Sequence, residues 1–232
     1  MPPEITPHER KLREVFTDGR TLPVHIARLS VLFEDLRLES TAARHTDSIE
    51  QIDTSGKHYR YFYFLRRMLV SLDEFASALS QINGNGEWKR IRAGFDLETG
   101  QRWDGAMKFF SANRPQWRDL RDWMGGHFLE KAAAFAVDNF KKEATGKIEV
   151  VISREEKTGG IRLLYAEEII ATAMSQALGP GEHTDEEVAK YVNGLFTVMM
   201  TAVDEAVKAV HIIAVVYVID RFRQESRGSS GA

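Results

Sequence analysis

The stretch KHYRYFYFLRRMLVSLDEFASALSQI, Lys57 to Ile82, decides how the rest of the chain is read. Phe62, Leu65, Met68 or Leu69, Leu72, Phe75, Leu79 and Ile82 step by three and four. That spacing draws one apolar stripe down a long helix. A helix with such a stripe must bury it against other elements, so the pattern predicts a helical bundle. NGNG, Asn83 to Gly86, closes the stretch with residues that tolerate a left-handed backbone.

Upstream, TLPVHIARLSVLFEDLRLESTAA, Thr21 to Ala43, repeats the pattern with Ile26, Leu29, Leu32, Phe33 and Leu36. Thr21 can cap this helix, and Pro23 suits its first turn. Arg44 to Gly56 is a polar connection. Residues 1–20 are polar and proline-containing and are expected as an N-terminal arm.

Downstream, Trp88, Ile91 and Phe95 hint at a short helix that DLETG interrupts. A helix is expected from about Arg102 to Ala112. Pro115 then opens another, with Trp117, Leu120, Trp123 and Met124, that meets Gly125-Gly126. A further helix is expected from His127 to about Lys142. KIEVVIS, REEKTGG and IRLLYA read as one β-hairpin, about 147–165, whose single sheet must lean on the helices or on a second subunit. Ala166 to Leu178 returns to helix, and Gly179-Pro180-Gly181 stops it. Thr184 and the acids after it then start a long C-terminal helix reaching toward Gln224. The expected fold is mainly α: a helical bundle with an inserted β-hairpin and a long C-terminal helix. It forms a single domain over 21–224, followed by a disordered tail at 225–232.

Composition narrows the function. The chain has no cysteine, which removes disulfides, thiolate zinc sites and cysteine nucleophiles and fits a cytoplasmic setting. Its net charge of −3 gives no global basic field, so nucleic-acid binding needs a local patch. The start lacks the basic-then-apolar order of a secretory signal. Tyr191 to Ile219 is apolar and long enough to span a bilayer, but Asp204, Glu205 and Lys208 fall in its middle. Such charges are costly there, so no membrane is expected. The stretch reads as a deeply buried helix that can also line an oligomer interface.

There is no Walker loop, dinucleotide fingerprint or nucleophile elbow. No histidine pair has metal-ligand spacing, so neither cofactor nor metal is expected. His25, His45, His58 and His183 read as surface or packing residues, and His211, among Val210, Ile212 and Ile213, as a hydrogen-bonded core histidine. RYFYFLRRM, Arg60 to Met68, mixes arginine and aromatics as RNA-binding surfaces do. Its aromatics, however, fit the buried stripe, and its arginines fit the rim.

One segment carries chemistry: Arg121-Asp122-Trp123-Met124-Gly125-Gly126-His127. It resembles the motif of the HEPN superfamily, helical domains of many prokaryotic toxins and RNA-processing enzymes. There an arginine, often followed by a polar residue, precedes a histidine by four to six residues. Arg20 and His25 share the spacing, but Thr21 follows Arg20 beside the N-terminal arm. The resemblance covers the motif and, more loosely, a bundle over about 56–142 or to the end. It implies a helical protein that binds or cleaves RNA, of the metal-independent endoribonuclease type, acting in stress or defence. Two such motifs would face each other across a homodimer, with Asp122 orienting the arginine or binding a neighbouring group.

The chemistry is coherent. Internal transfer in RNA needs a base for the 2′-OH proton, which a histidine supplies. It also needs a cation for the developing phosphorane charge, which an arginine fork supplies. On an unbroken helix Arg121 and His127 would point about 120° apart. Gly125-Gly126 permits a bend that brings them together and sets His127 at a helix N-terminus, where the dipole favours neutral imidazole. Alternatively, the glycines simply end one helix and Arg121 pairs with a surface acid such as Glu130 or Asp119. The protein is then a non-catalytic interaction or oligomerisation module, or a small-ligand sensor with an apolar cavity between its helices.

Overall fold

The computed structural model describes Phe16 and residues 21–45, 57–125, 129–141, 148–152, 159–163, 165–179 and 183–219. The N-terminal arm apart from Phe16 and the tail at 225–232 lie outside these residues.

Four long helices make the body. α1 (Thr21–Arg44) packs along α2 (Lys57–Gly84), α2 against α4 (Leu97–Met124), and α4 against α7 (Asp185–Ile213). α7 returns to α1 and closes the bundle. The stripe of α2 is its centre: Leu65, Met68, Leu69, Leu72, Phe75, Leu79 and Ile82 are all fully buried. Each such side chain contributes about 1.5–3 kcal/mol relative to leaving it in water. Tyr61 meets Phe196 at a ring distance of 5.3 Å and ties α2 to α7.

Short α3 (Gly86–Arg92) begins at Asn85, whose side chain accepts from the Glu87 N–H at 2.8 Å. It delivers Trp88 into the core against Trp103, 4.8 Å away. The indole of Trp103 in turn donates to Asn83 at 2.9 Å. DLETG begins a helix where the sequence suggested an interruption. Asp96 is the N-cap of α4, accepting from the Thr99 N–H at 2.7 Å.

α4 also runs straight through Pro115, where two helices were expected. Trp103, Ala106, Phe110, Trp117, Leu120 and Met124 all lie on its buried face, so packing holds one axis. Pro115 sits on the exposed face. Its missing N–H deprives only the Ser111 carbonyl, which lies on the same side.

α5 (Glu130–Asp138) and α6 (Tyr165–Ser175) pack on each other through Ala132, Ala136 and Ala173. Trp123 joins them to α4 by donating to the Ala173 carbonyl at 3.0 Å. A 3-10 turn at Gln176–Leu178 ends at Gly179, whose φ of 101° requires glycine. Thr184 and Glu187 form a capping box that starts α7. A π-helical turn, Ala214–Ile219, extends α7.

The helical body accounts for the fold; an inserted hairpin as part of it is not supported. β1 (Ile148–Ile152) and β2 (Gly159–Leu163) pair antiparallel, Ile148 opposite Leu163, but no principal contact of the helices involves them. Residues 153–158, between the two strands in sequence, lie outside those described. Among the described residues no helix is long and apolar enough to cross a membrane.

Candidate functional site

The last turn of α4 faces α2. With Leu120 and Met124 committed to the core, Arg121 falls at the edge of the buried face and reaches across the helix pair. It meets Asp73, which lies within the buried stripe of α2 between Leu72 and Phe75. The side chain of Asp73 is only 3% exposed. A buried carboxylate persists only with partners on its oxygens. Here Oδ1 accepts from Arg114 Nε at 3.0 Å, and Oδ2 accepts from Arg121 Nη1. Arg114 and Arg121 are seven residues apart, two turns on one face, so a single carboxylate can clamp both.

Arg121 is held from the other edge too. Asp122 Oδ1 accepts from its Nε at 2.9 Å and from its Nη2 at 2.6 Å. Glu74 stands 3.9 Å from Nη1 and accepts from Arg28 of α1. Hydrogen bonding to Asp122 is the largest influence holding the Arg121 proton more tightly than usual. The charges of Asp73, Asp122 and Glu74 reinforce it against partial desolvation. The guanidinium is therefore fixed in plane, 27% exposed, with a buried acid behind it and an exposed acid in front.

Immediately beyond, the helix stops. The Gly125 N–H donates to the Arg121 carbonyl at 2.8 Å. A Cβ on Gly125 would sit 2.5 Å from that oxygen and 2.9 Å from Arg121 Cγ, so the chain turns where only glycine fits. Arg66 of α2 covers the turn. Its Nε donates to the Met124 carbonyl and its Nη2 to the Gly125 carbonyl at 3.0 Å. A cation here satisfies orphan carbonyls and opposes the negative end of the helix dipole.

The structure thus brings Arg121 and Asp122 together. His127, with Gly126 and Phe128, lies outside the described residues. The helix expected to start at His127 starts at Glu130, with Leu129 as its N-cap. The helix-terminus reason for a neutral His127 therefore falls away. The partners of Arg121 are Asp73 and Asp122 rather than Glu130 or Asp119.

Nothing in the sequence marks Asp73, Arg114, Glu74 or Arg28 as site residues. The rim arginines of RYFYFLRRM are engaged, Arg66 on the end of α4 and Arg67 with Glu39 at 3.4 Å. His211 is exposed rather than buried, because Ala209, Ile212 and Ile213 take the core side of α7. His183 bonds the Gly179 carbonyl at 3.0 Å. Among the described residues no cluster of acids and histidines is arranged to hold a metal ion. Protein-family models, curated proteins and solved structures all give no match to this chain.

Proposed function

We propose that the protein is a HEPN-like helical protein that binds or cleaves RNA, the cleavage being metal-independent, with Arg121, Asp122 and His127 as its centre. One observation carries the reading. A guanidinium is locked at the end of a helix by a buried carboxylate, one turn before an obligatory glycine that redirects the chain. An arginine fixed this way is preorganised for a phosphate, since little reorganisation remains when charge develops.

Asp73 is the positioning residue, and Asp122 is the exchangeable one. Asp122 is 56% exposed, so a phosphate oxygen can replace its carboxylate on Nε and Nη2 while Asp73 keeps its grip on Nη1. His127 follows the turn as the base for the 2′-OH proton, which passes later to the leaving oxygen.

The proposed assembly is a homodimer, and the proposed setting is cytoplasmic stress response or defence. Val24, Val31 and Leu38 support self-association. They stand exposed at seven-residue spacing along α1, and Val24 and Val31 flank the Arg28 that pairs beside Arg121. The same apolar face favours the second reading, a non-catalytic assembly module.

The test is cleavage of a mixed RNA pool in EDTA by wild type and by His127→Ala at matched folding. Activity lost in the variant supports the centre. Equal activity, or none in either protein, favours the assembly reading.

A further inference from the structure

A groove lies between α2 and α4, about one to four turns before Arg121. Its volume is about 240 Å³, and it is lined by Ala76, Met107, Phe110, Pro115, Ser80, Ser111, Arg114 and Arg118. We propose that this groove binds a small organic oxyanion, a phosphate monoester or carboxylate carrying a compact apolar body and a hydrogen-bond donor.

Charge supports the head group. Arg114, Arg118 and Arg121 share one face of α4, and Asp73, Asp122 and Glu74, the acids that pair near it, are already committed. Asp73 serves Arg114 and Arg121, Asp122 serves Arg121, and Glu74 serves Arg28. Among the described residues nothing pairs with Arg118, which is exposed at the groove wall. Arg114 spends only Nε on Asp73, leaving its two terminal nitrogens. Two guanidiniums with unspent donors, one turn apart, repel each other and are matched by an oxyanion between them. The hydroxyls of Ser80 and Ser111 stand beside them without a hydrogen-bond partner among the described residues.

The remaining lining explains the rest of the ligand. Ala76, Met107, Phe110 and Pro115 offer apolar wall, which inorganic phosphate alone would leave unused. Pro115 removes the donor that the Ser111 carbonyl would receive in a regular helix. Both residues line the groove, so an acceptor without its regular helical donor stands at its edge. A hydroxyl or N–H on the ligand satisfies it; the anionic head does not.

The experiment is calorimetric titration of the full chain with 4-hydroxyphenyl phosphate, 4-hydroxybenzoate, benzyl alcohol and inorganic phosphate. Arg118→Ala is run beside wild type at matched folding; among the described residues Arg118 is exposed and pairs with nothing. The expected result is saturable binding of 4-hydroxyphenyl phosphate or 4-hydroxybenzoate, the tighter of the two identifying the head group. Benzyl alcohol and inorganic phosphate should bind at least tenfold more weakly, and Arg118→Ala should weaken the favoured anion about tenfold or more. A groove-filling Ser111→Trp should abolish binding. No saturable binding of either organic anion overturns the proposal. So does inorganic phosphate binding as well as the organic anions, or affinity unchanged in both variants. None of these readouts involves RNA or His127, so the result is independent of the ribonuclease reading.

Discussion

Replacing Asp73 by asparagine is expected to be costly far beyond the loss of one surface ion pair. The carboxylate is nearly fully buried and accepts from two guanidiniums, and hydrogen bonds to charged groups contribute about 1.5–3 kcal/mol each. Asparagine keeps the shape but turns one acceptor into a donor that faces an arginine. Breaking a buried ion pair costs about 3–5 kcal/mol when the orphaned charge stays buried. Arg114 and Arg121 are 34% and 27% exposed, so both can turn partly to water and the cost falls to about 2–3 kcal/mol. Urea unfolding followed by tryptophan fluorescence reads this directly, because Trp103 and Trp117 are buried in the same helix. At a slope of about 3 kcal/mol/M, the midpoint should fall by about 1 M with the slope unchanged. Asp122→Asn is the control: an exposed partner on the same guanidinium should cost about 1 kcal/mol or less. Equal costs for the two substitutions, or an Asp73→Asn cost below about 0.5 kcal/mol, would refute the clamp.

Three further outcomes follow from local geometry. Glu39, between α1 and α2, has its carboxyl pushed up by burial, against the pull of Ser71 and Arg67. The folded state therefore holds this proton more tightly than the unfolded chain. The resulting stability is full below the ordinary glutamate value and is lost as pH rises through the raised one. Glu39→Gln, which mimics the protonated form, should raise the melting temperature at neutral pH and leave it unchanged in acid, as thermal scans across pH will show. Gly125→Ala places a methyl against the backbone of Arg121 and should cost about 1–3 kcal/mol in urea unfolding. Thr184→Ala removes one half of the capping box and should cost about 1 kcal/mol, seen as faster amide exchange in the first turn of α7.

Much of the bundle was legible because its signals are local. The three-four stripe of α2, the Asn83–Gly86 break and the Thr184 cap each rest on residues within a turn of one another. Two readings differ from the structure for separate reasons: packing overrides the local signal at Pro115, and a local cap stands where DLETG reads as a break. Pro115 is a helix start by propensity, yet it lies on the solvent side of a helix whose core face is continuous through it. DLETG looks like a break, and its aspartate is in fact a cap. The site was half legible. Arg121 and Asp122 stood out through their spacing to a histidine. Asp73 did not, because it sits inside an apolar run and its partners lie 41 and 48 residues away. No pattern within a helix turn encodes such a contact. Arg66 was hidden for the same reason, its carbonyl partners being 58 and 59 residues distant.

The central claim is that Arg121 and His127 form a metal-independent RNA-cleaving pair. It is tested most directly by the chemistry of the cut ends. RNA incubated with wild type in EDTA should yield 2′,3′-cyclic phosphate and 5′-hydroxyl termini, the signature of internal transfer. Both Arg121→Ala and His127→Ala should abolish those ends while remaining folded. Intact RNA, 3′-hydroxyl ends, or cyclic ends that persist in either variant would contradict the account.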